Sequence, residues 1–240
     1  MRRIRLRTGP AALFGAMLLI MLIVFLPMRL ALGWFGAGEQ GLVARRVGGT
    51  IWGASLSEAR LGDLPLGDIR ARLSPLPLFV GRGTLALTGP AGAAPPLSGE
   101  AFVSRHSFGV DDLTARLATG AAFQPLPVTA LDLSALSFRF EDGRCVAAEG
   151  RVRATLAGDV GGIVLPGSVE GPARCEAGAL LLPLASAAGT EAIVLRITGD
   201  GQYQADLSVR SIDPLAGQRL AAAGFVSGPE GYRLSVEGSF

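Results

Sequence analysis

The sequence predicts a mainly β protein: a single N-terminal transmembrane helix, then an elongated, twisted antiparallel sheet, laid out as a meander in a half-pipe or sandwich-like form. Three observations predict it. An uncharged run covers residues 8–28, behind Arg2, Arg3, Arg5 and Arg7. Beyond residue 50, apolar residues recur at every second position in short segments, the period of a strand with one dry and one wet face. Turns rich in Gly, Pro and Asp separate these segments, which suits hairpins and not βαβ units.

The apolar run comes first. As a helix it is roughly 32 Å long, enough for a bilayer core of about 30 Å. Its centre, from Ala11 to Leu26, is almost wholly apolar. The one-sided arginine cluster sets the N-terminus in the cytoplasm and the remaining chain in the periplasm. The alternative is a cleaved signal peptide, with an apolar core of about 7–15 residues and a small-x-small cleavage site. This core is longer, and Arg29 sits just before the poor site Ala31-Leu32-Gly33. Residues 1–30 are therefore expected to be a cytoplasmic tail and inner-membrane anchor. Residues 31–49 form a juxtamembrane connector, with Trp34 and Phe35 suited to the membrane interface and a short amphipathic helix over 38–47. Residues 50–240 form a periplasmic β-rich domain with a soft boundary near 125.

Within that domain, residues 56–61, 69–73, 84–88, 100–108, 113–117, 136–140 and 152–156 each have the pattern of a half-buried strand. So do 180–184, 193–197, 203–209, 222–227 and 232–236. The cleanest alternations are Ile193, Leu195, Ile197 and Tyr203, Ala205, Leu207, Val209. Gly199-Asp200-Gly201, Glu141-Asp142-Gly143 and Gly228-Pro229-Glu230-Gly231 are hairpin connections. Helical periodicity is scarce after residue 50. The best candidate covers 212–223, where Asp213 can cap and Pro214 fits the first turn. Pro90, Pro95 and Pro96 make 89–98 a loop, and Pro125 with Pro127 makes 124–129 another.

Composition excludes several functions. All 22 basic residues are Arg, and the 20 acidic residues all follow the anchor. With the five arginines of residues 1–30 set aside, the outer part holds 17 Arg against 20 acids and is mildly acidic. No basic patch remains for phosphate contacts, so nucleic acid is not an expected partner. With no Lys, Walker-type phosphate loops and Schiff-base chemistry are impossible. The single His106 completes neither a zinc shell nor a convincing triad. It shares strand parity with Phe102, Ser104 and Phe108, the place of a half-buried strand histidine. Asp111 and Asp112 have the character of a solvated loop pair at a strand end. No enzyme, metal or cofactor is expected. Cys145 and Cys175 are expected to form a disulfide, the default for two cysteines in an oxidising compartment.

Two motifs remain. Gly49-Thr50-Ile51-Trp52-Gly53-Ala54 follows the anchor, and Leu76-Pro77-Leu78-Phe79-Val80-Gly81 comes later. Together with the two late cysteines and the ending Gly231-Tyr232-Arg233-Leu234, they resemble the type II secretion system protein N family. The resemblance covers most of the chain. It implies a bitopic inner-membrane accessory or assembly subunit that supports export of folded proteins across the outer membrane. Other secretion-system subunits and the inner membrane would be its partners. In the hairpin motif, Gly49 and Gly53 permit tight chain reversal and Trp52 is a large apolar anchor. Packing is the expected role of Gly49, Thr50, Trp52 and Gly53, with partner contact as the alternative.

A second function class stays open. A long sheet with an apolar concave face, tethered by one helix, is also how AsmA-like lipid-transfer proteins are built. In that reading phospholipid is the ligand. An open groove would carry lipid, whereas an assembly subunit with a closed core would not.

Overall fold

A computed structural model describes residues 8–28, 42–61, 64–90, 96–120, 123–160, 163–165, 167–210, 214–229 and 231–239. Helix α1 (Thr8–Val24) precedes β1 (Leu42–Val43), β2 (Arg46–Thr50), β3 (Gly53–Leu61) and β4 (Leu64–Ser74). A single helical turn, α2 (Pro75–Leu78), leads into β5 (Gly83–Thr88), β6 (Ser98–Val103), β7 (Ser107–Ala118), β8 (Val128–Glu141) and β9 (Arg144–Leu156). A small separate hairpin, β10 (Asp159–Val160) and β11 (Ile163–Val164), follows. The rest is β12 (Ser168–Pro172), β13 (Arg174–Glu176), β14 (Ala179–Ala185), β15 (Glu191–Ile197), β16 (Gln202–Val209), α3 (Pro214–Ala222), β17 (Val226–Gly228) and β18 (Gly231–Ser239).

Among the described residues, sixteen strands form one antiparallel sheet in the order β1-β3-β4-β5-β6-β7-β8-β9-β12-β14-β15-β16-β18-β17. Neighbours in space are mostly neighbours in sequence, the meander expected from short Gly-rich turns. β2 adds to β3 beside β1, and β13 shares an edge of β14 with β12.

Three strands, β3, β7 and β8, survive a break in their own period. Leu56 and Ala59, Val110 and Leu113, and Leu133 and Leu136 are three residues apart, yet all are buried or half-buried on the dry side. A bulge lies between each pair, and at each one an exposed non-glycine residue takes a positive φ: Glu58 (51°), Asp112 (50°) and Ala135 (48°). A bulge restores side-chain parity but strands a backbone donor. A neighbouring side chain supplies the acceptor every time. The Glu58 N–H donates to Asp68 Oδ1 at 2.9 Å, Asp112 N–H to Ser137 Oγ at 2.9 Å and Ala135 N–H to Thr114 Oγ1 at 3.1 Å. Opposite Ala135, Gly150 has φ +108°, and a Cβ there would lie 2.4 Å from the Ala135 carbonyl oxygen. Only glycine fits that position.

Two apolar clusters lie on the dry face. The larger runs through β8, β9, β12 and β14–β16, in cross-strand rows such as Leu184–Ile193–Leu207–Leu234 and Leu182–Leu195–Ala205–Val236. A second layer closes it: Phe123 and Leu126 between β7 and β8, Leu220 of α3, and Phe225. The ends of the 119–128 segment are tied together, for the Thr119 hydroxyl donates to the Val128 carbonyl. Beneath Phe123 and Leu126 a void of only about 10 Å³ remains. The smaller cluster is Ala54, Leu56, Ala59, Ile69 and Ala71, flanked by Met28, Ala44, Leu85 and Leu87. Leu97 packs against both clusters.

Several expectations need correction. Among the described residues, no helix is long and apolar enough to cross a membrane. The described helix has 17 residues, not 21, because the chain turns into the sheet at its end. The residue before Pro27 is disfavoured in a helix. The Leu26 carbonyl accepts the Ile51 N–H at 3.1 Å, and Pro27 bridges Thr50. Leu26 is thus a sheet partner and not the helix end. The described part of the expected 38–47 helix is strand, because backbone pairing of Leu42–Val43 and Arg46–Thr50 with β3 overrides a weak amphipathic pattern. The segment 100–108 is two strands. Ser104 closes a tight turn, donating its N–H to the Ser107 carbonyl and accepting the Ser107 N–H on its hydroxyl. The segment 222–227 begins as the last residue of α3 and becomes strand only at Val226. Arg2, Arg3, Arg5, Arg7, Trp34, Phe35 and the capping residue Asp213 lie outside the described residues, and of Ala11 only the helical backbone is described.

Candidate interaction site

The Gly49–Gly53 motif is the β2–β3 hairpin. Thr50 pairs with Gly53 and Gly49 with Ala54, leaving Ile51 and Trp52 as the two-residue turn. Gly49 has φ +88°, and a Cβ there would meet the Gly53 carbonyl oxygen at 2.2 Å. Glycine is required at 49 by the backbone alone, while a Cβ at Gly53 would meet open space. Trp52 and Ile51 are half-buried. Thr50 and Ile51 are also where the chain leaving α1 joins the sheet. The motif therefore couples the N-terminal helix to the first strands.

At the opposite end the sheet is not closed. β18 is paired with β16 over Gln202–Val209, but on its other side β17 covers only Gly231, Tyr232 and Arg233. Along residues 234–239 no strand among those described pairs with the outer side. β17 itself is exposed throughout, with Val226 at 71%. Leu234 and Val236 face the dry side while Arg233, Ser235 and Glu237 are exposed. This alternation suits an edge that accepts one more strand.

The wet face carries a stripe of alternating charge across four strands: Arg116, Asp132, Arg153 and Glu170 stand in register. Arg153 donates to Glu170 at 2.9 and 2.6 Å, and Arg116 lies 3.6 Å from Asp132. Such exposed pairs contribute at most about 1 kcal/mol each. Their positions help fix register and keep this face solvated. The Asp200 carboxyl, in the β15–β16 turn, is held below the usual carboxylate range by the Thr198 hydroxyl that donates to it.

A disulfide joins Cys145 and Cys175 with a Cα–Cα distance of 5.5 Å. It ties the start of β9 to β13, beside the Cys145 N–H that donates to the Gly178 carbonyl at 2.8 Å. His106 is not in a strand. It is exposed in the β6–β7 turn, with Nδ1 3.2 Å from Asp142 Oδ1. Asp111 and Asp112 belong to the β7 bulge and not to a terminal loop. Among the described residues, no three His, Cys, Asp or Glu side chains gather where they could hold a metal ion.

Two features escaped the sequence pattern. The bulge acceptors Asp68, Ser137 and Thr114 are announced only by the three-residue spacing between apolar positions. The β4–β5 turn exposes Leu76, Leu78, Phe79 and Val80 together, and its signal is an apolar stretch that fits no strand period.

With this geometry in place, comparison with known proteins gives one result. The family model described as type II secretion system (T2SS), protein N matches residues 40–235. No curated protein and no solved structure is a match for this chain.

Proposed function

The chain belongs to the type II secretion system protein N family, and from that premise we propose that it is an inner-membrane assembly subunit without catalytic chemistry of its own. In this reading α1 lies in the membrane, the sheet projects into the periplasm, and the open edge of β18 receives a strand from another subunit. The observation that carries the reading is that edge: residues 234–239 alternate dry and wet positions beside a strand ladder that stops at Arg233. Strand addition uses unpaired backbone groups of this kind, with alternate side chains giving specificity.

Support for the membrane assignment comes from α1. Leu13, Phe14, Met17, Leu18, Leu19, Ile20, Met21 and Leu22 are all at least half exposed. A helix this apolar buries its surface in lipid or in a partner. The lipid-transfer alternative is the weaker reading. Under Phe123 and Leu126 the larger cluster leaves a void of about 10 Å³, too small for an acyl chain, and the roomier cleft of about 640 Å³ lies at the β17–β18 edge, outside that core.

The test is a chromosomal deletion followed by fractionation of secreted proteins. Folded exoproteins are expected to accumulate in the periplasm, and complementation to restore export. Normal export together with altered outer-membrane lipid composition overturns the assembly reading in favour of lipid transfer. A photo-crosslinker at Glu237 is expected to capture another subunit of the same system, and one at Arg116 to capture none.

A further inference from the structure

We propose that the β4–β5 turn is a second membrane contact: Leu76, Phe79 and Val80 form a wedge that enters the periplasmic leaflet beside α1. The inference rests on the membrane placement of α1 given above.

The first observation is exposure. Leu76 is 79% exposed, Phe79 88% and Val80 82%, with Leu78 beside them at 41%. Single exposed apolar residues are ordinary, but four within one turn make a patch that calls for an apolar surface.

The second observation is the backbone. Pro75 and Pro77 have no N–H to satisfy. The Phe79 N–H donates to the Leu76 carbonyl, Val80 to Pro77, Gly81 to Leu78 and Arg82 to Pro77, at 3.0–3.3 Å. Gly81, with φ +71°, closes the turn as the left-handed residue of a helix C-terminus. With the N–H groups of residues 79–82 satisfied inside the turn, the cost of taking this tip out of water is reduced. The same closure makes this turn unsuited to strand addition, so it is distinct in kind from the β18 edge.

The third observation is place. The chain leaving α1 joins the sheet at Thr50 and Ile51. Thr50 pairs with Gly53, and Ala54 pairs with Ala71, from which β4 runs directly into the turn. The turn and the end of α1 are therefore at the same end of the sheet, roughly 20 Å apart at about 4.8 Å per strand. If the end of α1 is at the membrane surface, so is the turn.

The fourth observation is charge. No acidic residue stands between Asp68 and Glu100, whereas Arg70, Arg72 and Arg82 do. The neighbouring β6–β7 turn adds the exposed Arg105, since Val103 pairs with Gly83, and the carboxylate set against that turn, Asp142, lies on His106. The outer part as a whole is mildly acidic, so Arg72, Arg82 and Arg105 are a local excess at the tip, which suits an anionic lipid surface.

The experiment uses the full chain in vesicles of phosphatidylethanolamine and phosphatidylglycerol. An environment-sensitive fluorophore is attached at Phe79→Cys, at Met21→Cys in α1, or at Val226→Cys on the far edge. The native cysteines are paired and do not compete. Phe79 is exposed, so its replacement leaves the fold intact. Nitroxide-bearing lipids are expected to quench positions 21 and 79 strongly and to spare position 226. Quenching at 21 with position 79 behaving like 226 overturns the wedge and leaves the anchor standing, whatever protein covers the turn in the cell. Loss of quenching at 21 as well overturns both.

Discussion

Two regions of one sheet solve the same problem differently. In β8–β18 the dry face is roofed by a second layer, and Val152, Val169, Leu207 and Leu220 are completely buried. In β1–β6 the dry face holds Ala54, Ala59 and Ala71 with Leu56 and Ile69, and every residue of β5 retains some exposure. Both regions show the same alternation in sequence. The difference lies in what is laid over them. A sheet is stable when its apolar face is buried against another layer. The C-terminal part carries its own cover, in the 119–128 segment and α3. Among the described residues, the N-terminal part has small residues and few covering side chains, and it is also the part joined to α1.

Core truncation gives the largest contrast. Leu207→Ala is expected to cost about 4 kcal/mol, because its site is closed on every side and cannot collapse. Ile69→Ala removes the same three carbons but sits under a thinner cover, so about 2 kcal/mol is expected. Denaturant unfolding of the full chain, followed by hydrogen exchange on each half, separates the two. Equal losses would mean that the N-terminal cluster is as enclosed as the C-terminal one.

The disulfide sharpens the same contrast. Closing a loop across 30 residues stabilises by about 3.6 kcal/mol in the chain-entropy model. Both cysteines lie in the roofed region, so replacing them with alanine is expected to lower exchange protection in β9 and β13–β15 and to leave β3–β5 unchanged. A drop in β3–β5 of equal size would show the sheet to unfold as one unit.

Sequence pattern carried most of this architecture. The alternation of Tyr203, Ala205, Leu207 and Val209, and the turns at Asp142-Gly143 and Asp200-Gly201, place their strands and hairpins within a residue or two. Both cysteines were legible as a pair from their number and the compartment expected for the chain. The glycine at 49 was legible as a reversal, and its steric demand for glycine was not. Bulges defeated the period count, since Val110-Asp111-Asp112-Leu113 resembles a strand end until the Ser137 hydroxyl is seen to accept the stranded donor. The roof was illegible for another reason. Phe123 and Leu126 have no period of their own, and their burial depends on contacts with Tyr203 and Leu195, far along the chain. The turn at 75–82 was recognised as a motif, but its exposure follows from neighbours that fail to cover it.

The bulges offer the smallest and most selective test. Thr114→Val keeps the shape of the side chain and removes the acceptor for Ala135, and Ser137→Ala removes the acceptor for Asp112. Each is expected to cost about 1 kcal/mol, near the net worth of one hydrogen bond, because the bulges are exposed and water offers partial replacement. The two bonds cross the same pair of strands in opposite directions, so they act as one clamp. In a double-mutant cycle the pair is therefore expected to couple by about 0.5 kcal/mol or more. Asp68→Ala at the corresponding bulge of β3 has no reciprocal partner and is expected to add independently to either. Strict additivity between Thr114→Val and Ser137→Ala would mean that each bulge is held by its own strand twist. The reciprocal bonds would then be a consequence of the β7–β8 register and not its cause.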